Sequence, residues 1–273
     1  MDDHAEKLGT DRLTARELQD SRAVWWSEEF TSVLVRKLAP SADGSILDVG
    51  CGTGILAQRL ARSVVPLPRL TGIDIDLERL RIASRSSHGR SVLASARALP
   101  FPAQTFSATV DILTLQHIAE PAAALREMRR VTRPGGTVLA VEADNLSQKL
   151  YLPTAAPDVD AAWSSFWARI ASANPHTHFA LGPELPRLFR EAGLGETGVE
   201  GYLVTRLSPM SPPAFLRNMG ERLDALAERH GIAASREHRD LLAALAASVP
   251  ERSENPDFHF LSSVPLFIVS GMA

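Results

Sequence analysis

The run Ile46-Leu47-Asp48-Val49-Gly50-Cys51-Gly52-Thr53-Gly54 permits few folds. Four residues suited to a buried strand lead into a turn with glycine at every second position, and residues 55 to 63 continue with helical spacing. Glycines there allow a tight turn and let backbone approach a ligand with no side chain in the way. The alternation then repeats to about residue 142: strands at 70–74, 91–94, 106–113 and 137–141, helices at 77–86 and 122–131. Strand and helix taking turns in this way build a parallel sheet with right-handed crossovers, whose ligands sit beyond the C-terminal strand ends.

The chemistry of that edge is partly legible. A dinucleotide site favours Gly-x-Gly-x-x-Gly, with a pyrophosphate on the following helix N-terminus. Here the spacing is Gly-x-Gly-x-Gly, and Asp48 stands two residues before the first glycine. A carboxylate at that point repels a pyrophosphate and attracts a cationic ligand, which argues against a nicotinamide dehydrogenase. About 20 residues past the turn, Thr71-Gly72-Ile73-Asp74-Ile75-Asp76 ends the next apolar run. Asp74 is placed to accept both hydroxyls of a ribose, Ile75 to face an adenine ring, and Asp76 to cap the helix starting at Leu77.

Four stretches in order carry a family resemblance: Leu47-Asp48-Val49-Gly50-Cys51-Gly52-Thr53-Gly54, Gly72-Ile73-Asp74-Ile75, Ala98-Leu99-Pro100-Phe101-Pro102 with Phe106, and Arg133-Pro134-Gly135-Gly136-Thr137-Val138-Leu139. Over residues 46–142 the chain resembles the class I S-adenosylmethionine-dependent methyltransferases, near the small-molecule domains of the ubiquinone-biosynthesis type. The resemblance implies a Rossmann-like α/β fold with a seven-stranded sheet, S-adenosylmethionine as cofactor and S-adenosylhomocysteine as product. It implies that Asp48, Gly50, Cys51, Gly52 and Gly54 cradle the methionine part and ribose, and that Asp74 and Ile75 take the ribose and adenine. Ser95, Ala96 and Leu99 then fall in the segment covering the adenine, and Leu113 and Thr114 face the sulfonium. The family's usual acids before that segment's alanine and after its phenylalanine are replaced by Ser95 and Ser107.

Methyl transfer from a sulfonium mostly needs positioning and desolvation, so few catalytic groups are required. An acceptor that must lose a proton calls for a base, and His117 is the best-placed one, although a histidine at a strand end can also simply pack there. Trp25, Gln116, Trp167, His176 and His178 are candidates for the acceptor pocket, between the sheet's C-terminal edge and the insertions 143–182 and 207–260. His176 and His178 with Glu142 and Asp144 lack the spacing of a metal set, so no metal is expected. Cys51 has no basic neighbour in sequence and is not read as a nucleophile. The function implied is methylation of an oxygen or nitrogen atom of a small organic metabolite. A cyclisation or decarboxylation on the same fold, and a non-catalytic S-adenosylmethionine- or metabolite-binding module, stay as alternatives.

The rest of the chain is read as one methyltransferase domain around that core. Residues 13–38 form N-terminal helices, the insertions carry helices near 158–172, 212–229 and 236–247 as a substrate cap, and strands near 199–207 and 264–270 complete the sheet. With 29 basic and 32 acidic residues among 273, the net charge of −3 offers no broad cationic field, so neither nucleic acid nor membrane is an expected partner. A single cysteine, an acidic start and no long apolar run point to a cytoplasmic protein. Abundant alanine and arginine suggest a high-GC bacterial source and natural-product biosynthesis. Monomer and homodimer both remain open, since the stripes of helices 212–229 and 236–247 can pair two chains or cover the sheet.

Overall fold

A computed structural model describes residues 26–41, 43–85, 89–153, 156–249 and 258–273. Trp25 and the N-terminal part of the expected first helix lie outside these. The described elements, in chain order, are α1 (Glu28–Leu38), β1 (Ser45–Val49), α2 (Ile55–Ser63), β2 (Arg69–Asp74), α3 (Leu77–Ala83), β3 (Arg90–Leu93) and β4 (Phe106–Ile112). They continue with α4 (Pro121–Val131), β5 (Thr132–Ala143), β6 (Lys149–Tyr151), α5 (Pro157–Ala173), α6 (Leu185–Glu191), β7 (Gly195–Pro209), α7 (Pro212–Arg229), α8 (Arg236–Ser248) and β8 (His259–Met272).

Local chemistry sets many of these limits. Ser27 caps α1 by accepting the Phe30 N–H at 3.0 Å, and Glu28 and Glu29 suit the positive end of the helix dipole as Arg36 and Lys37 suit its other end. Asp76 caps α3 by accepting from Glu78 N and Arg79 N, as its position predicts. Proline opens the first turn of α4, where its missing N–H costs nothing.

The chain divides into two compact units. One takes in the described residues from Trp26 to Asp144, then His176–Val204 and Pro265–Ala273. Its sheet runs β3-β2-β1-β4-β5-β8, parallel through β5 and antiparallel between β5 and β8, with β7 also on β8. Its core joins Leu47, Val49 and Ile73 of the strands to Leu125 and Met128 of α4 and to Leu185 and Phe189 of α6, all at most 1% exposed. The register aligns Val49 with Ile73 and Asp111, and Ile112 with Val141, so the strands end together along one edge.

The other unit comprises Asn145–Pro175 and Thr205–Val264 and is mainly helical. In it α5 and α7 pack on α8. The stripe of α7 is consumed there: Phe215, Met219 and Leu223 are buried, with the Phe215 ring 4.8 Å from that of Phe260 and 5.6 Å from that of Phe258. In α8, Leu241 and Leu245 are likewise buried, while Leu216 and Leu226 of α7 and Leu242 of α8 are half-buried. This unit also supplies the three-residue β6, pairing Leu150 with Ser262 of β8, beyond the seven strands expected. Three residues are too few for any periodicity to show.

Candidate active site

The loop after β1 is held from below by strand backbone. Gly50 N and Cys51 N both donate to Ile73 O at 2.8 Å, and Gly54 N donates to Cys51 O at 2.9 Å. Gly50, Gly52 and Gly54 all have positive φ, of 74°, 53° and 80°. At Gly50 the reason is double: a Cβ there would stand 2.1 Å from Thr114 Oγ1 and 2.6 Å from Thr114 Cβ. Thr114 thus wedges against the loop, donating to Gly50 O at 3.4 Å. Its visible role is to brace the loop.

Asp74 is 6% exposed and does more than wait for a ligand. Its Oδ2 accepts the Gly52 N–H and its Oδ1 the Asp76 N–H, both at 2.9 Å. The carboxylate therefore ties the glycine loop to the turn after β2, and each oxygen keeps a further lone pair for a donor. Ile75, half-buried, follows at this edge, and Asp48 is buried beneath the loop. Burial, with Asp48 and then Asp74 close by, pushes the Cys51 thiol far above its ordinary range, so it is inert. Its sulfur packs over Gly72, where a Cβ would come within 2.6 Å of Sγ.

Ser95 Oγ accepts from Arg97 N at 3.3 Å and shapes the turn after β3. Ala96 and Leu99 are buried among the core residues of this unit. A clamp absent from the sequence reading fixes their segment. Arg130 meets Glu127 through two nitrogens at 2.7 and 2.8 Å and donates to Phe101 O and Leu99 O, while Glu127 accepts the Leu99 N–H at 2.8 Å. The paired guanidinium holds the Glu127 carboxyl below its usual range. Only the Glu-x-x-Arg spacing on α4 could have signalled it.

Beyond β4 the chain turns through Leu113, a non-glycine residue at φ 57°, whose N–H reaches Val141 O at 2.8 Å. Asp111, fully buried, makes the turn possible by accepting from Thr114 N and Leu115 N at 3.2 Å each. A short 3₁₀ segment, Leu115–His117, follows. Gln116 is its pivot: its N–H donates to Glu142 Oε1 at 3.2 Å, and its carbonyl accepts the His178 N–H at 2.8 Å. The structure thereby brings His178, Gln116 and buried Glu142 together, although they are distant in sequence. His178 Nε2 is buried without a hydrogen-bond partner among the described residues. His117 is exposed at the end of the segment, and His176 is also exposed. Trp167 belongs to the helical unit, where it packs on Trp163 and Phe166. Among the described residues no three His, Cys, Asp or Glu side chains group as a metal site.

Comparison with known proteins matches this edge to a family. The family model described as a methyltransferase domain matches residues 47–140, from β1 into β5. The demethylmenaquinone methyltransferase of Symbiobacterium thermophilum is 32% identical over 174 residues, covering 56% of this chain and 68% of that protein. The chain belongs to the class I S-adenosylmethionine-dependent methyltransferases. Another relative of this methyltransferase chain is the ubiquinone/menaquinone biosynthesis C-methyltransferase UbiE of Hahella chejuensis, 35% identical over 115 residues, 40% of this chain and 46% of that one. The chain spans about half the length of several curated relatives. Among solved structures, the YcgJ protein of Bacillus subtilis shares the fold at a TM-score of 0.57 with 16% identity, covering 90% of this chain and 99% of that one.

The site residues fit the family's cofactor. Thr53, 1% exposed between Gly52 and Gly54, has a hydroxyl with no partner among the described residues. Asp74 retains acceptor capacity beside it, and the first turn of α2 carries no acid. The described loop thus offers a donor-acceptor hydroxyl and carboxylate lone pairs to a polyhydroxylated, cationic nucleoside. Among the described residues, no helix is long and apolar enough to cross a membrane.

Proposed function

We propose that this chain methylates a small, partly apolar organic molecule with S-adenosylmethionine. The observation that carries the reading is the glycine loop locked to Asp74, with the unpartnered Thr53 hydroxyl inside it, at the C-terminal edge of a parallel sheet. When bound, the cofactor supplies a methyl group on a sulfonium, which leaves without covalent help. The chain's own task is then to bind, orient and exclude water. Asp74 accepts the ribose hydroxyls through its remaining lone pairs, Ile75 with the segment of Ser95, Ala96 and Leu99 bounds the adenine, and Asp48 favours the cationic end. Leu113 and Thr114 border the methyl group.

His117 is the proposed general base for an acceptor that must lose a proton. His178, tied to Gln116 and with a free ring nitrogen, lines the acceptor side with Gln116 itself. The acceptor atom is oxygen or nitrogen by the chemistry of such a base. The name of the UbiE relative, a C-methyltransferase, supports carbon as a third choice.

Two measurements test this. Calorimetric titration with S-adenosylmethionine, S-adenosylhomocysteine and NAD should show binding of the first two only, weakened at least tenfold in Asp74→Asn. A panel of phenols, amines and quinols should then give S-adenosylhomocysteine together with a product heavier by one CH₂ group. Failure of both sulfur nucleosides to bind would end the proposal. Binding with conversion of a panel member but no gain in mass would replace methyl transfer by another reaction of the bound molecule. His117→Ala should lower kcat about 10²-fold or more for acceptors that lose a proton, and an unchanged rate would remove it as the base.

A further inference from the structure

Leu113 stands in a backbone conformation that suits glycine. Its φ is 57°, in the left-handed region, where Cβ crowds the carbonyl oxygen that follows and a bulky residue is an outlier. Among the described residues the other non-glycine positions of positive φ are Ala39, Gln104 and Glu196, and each of these is exposed. Leu113 is half-buried. Its backbone is held from several sides: its N–H reaches Val141 O at 2.8 Å, its carbonyl accepts from Gln116 Nε2 at 3.4 Å, and Asp111 ties the next two amides. The bonds to Leu113 itself use only main-chain atoms, so glycine would make them with less strain.

The isobutyl group is therefore what the strained backbone maintains. The fold makes little use of it. Leu115, two residues on, is fully buried in the core of this unit, whereas Leu113 is not among the described residues that form that core or pack against it. Its place is between the two halves of the site. Thr114, next in the chain, braces Gly50 of the glycine loop, while Gln116, bonded to Leu113 O, holds His178 through its own carbonyl. Residues kept in sparsely populated conformations gather where a ligand is clamped.

We propose that Leu113 is a specificity-determining residue for the methyl acceptor, giving an apolar surface beside Gln116 and His178 on which an apolar face of the acceptor packs. An isobutyl group offers no hydrogen bond, so what it selects is apolar area. The inference rests on the methyl-transfer reading of this site and deepens it by naming the part of the acceptor that is recognised.

Two variants separate the side chain from the strain. Leu113→Gly removes both, and Leu113→Ala removes the side chain while keeping a Cβ at positive φ. In urea the glycine variant should unfold at a concentration equal to or above that of the parent chain, and the alanine variant below the glycine one. Each protein is then saturated with S-adenosylhomocysteine, checked by calorimetry, and titrated with 1-naphthol, whose fused rings give the side chain area to cover, and with hydroquinone, which has less. Both variants should bind 1-naphthol at least tenfold more weakly than the parent, and hydroquinone less than threefold more weakly. A glycine variant that unfolds earlier than the parent would overturn the proposal, because the side chain then serves the fold. Binding of 1-naphthol that is unchanged in the variants, or absent from the parent, would overturn it as well. Neither readout needs turnover. A parent chain that binds 1-naphthol through Leu113 yet methylates no member of the panel keeps the contact and ends the proposed reaction, so the two fail separately.

Discussion

At the scale of single residues, the glycine loop is a place where backbone and side chain exclude each other. Gly50→Ala must force a methyl group into Thr114 at a φ of 74°. The left-handed conformation costs ~1–2 kcal/mol and the overlap a further ~1–3 kcal/mol. Denaturant unfolding should show that loss, with S-adenosylhomocysteine binding abolished in calorimetry. Adding Thr114→Gly removes the overlap and leaves the φ cost, so it should recover only part of the stability. Cys51 gives a second expectation. Burial and the two neighbouring carboxylates keep its thiol protonated, so Ellman's reagent at pH 8 should label the native protein far more slowly than the unfolded chain. Rapid native labelling would mean the loop opens.

Elements are joined at this site by carboxylates that accept backbone N–H groups. Asp111 holds the turn after β4 and Asp74 the turn after β2, each through two such bonds. Asp111→Ala leaves the buried Leu115 N–H and the part-buried Thr114 N–H unpaired beside a strained Leu113, at a cost of ~1–3 kcal/mol on unfolding in urea. The Glu127–Arg130 clamp adds a pH dependence. Because the folded state depresses the Glu127 pKa, the clamp's contribution is complete above the ordinary carboxylate pKa of about 4.3. It falls away as pH drops through the lower folded value. The pair is partly exposed, which limits it to about 1 kcal/mol. Glu127→Gln should therefore melt earlier at pH 7, and the difference from the parent chain should shrink as pH is lowered below 4.

For the whole molecule, ligand binding and folding are one equilibrium. The loop that would hold the cofactor is assembled from β1, β2 and the turn after β4, so a ligand bound there stabilises all three. S-adenosylhomocysteine at 100 times its Kd should contribute about 2.7 kcal/mol, a rise in melting temperature on the order of 5–10 °C. Asp74→Asn should lose most of that rise. An equal rise in the variant would show that Asp74 serves the loop alone and not the ligand.

Much of this was open to reading from the sequence. The alternating 2.0 and 3.6 periodicities, the glycine turn, the Asp76 cap and the parallel core from 46 to 142 follow from interactions between near neighbours in the chain, which leave a local imprint. Helix 212–229 was equally plain, but the ring partners of its Phe215, Phe258 and Phe260, lie more than forty residues further along the chain. The two backbone bonds of Asp74, the burial of Asp111, the approach of His178 to Gln116 and the Glu127 grip on Leu99 had no sequence signature for the same reason. Each depends on which backbone amide arrives opposite a side chain once the strands are in register. A sequence states which groups are present and how the chain repeats, while packing decides which distant groups become partners.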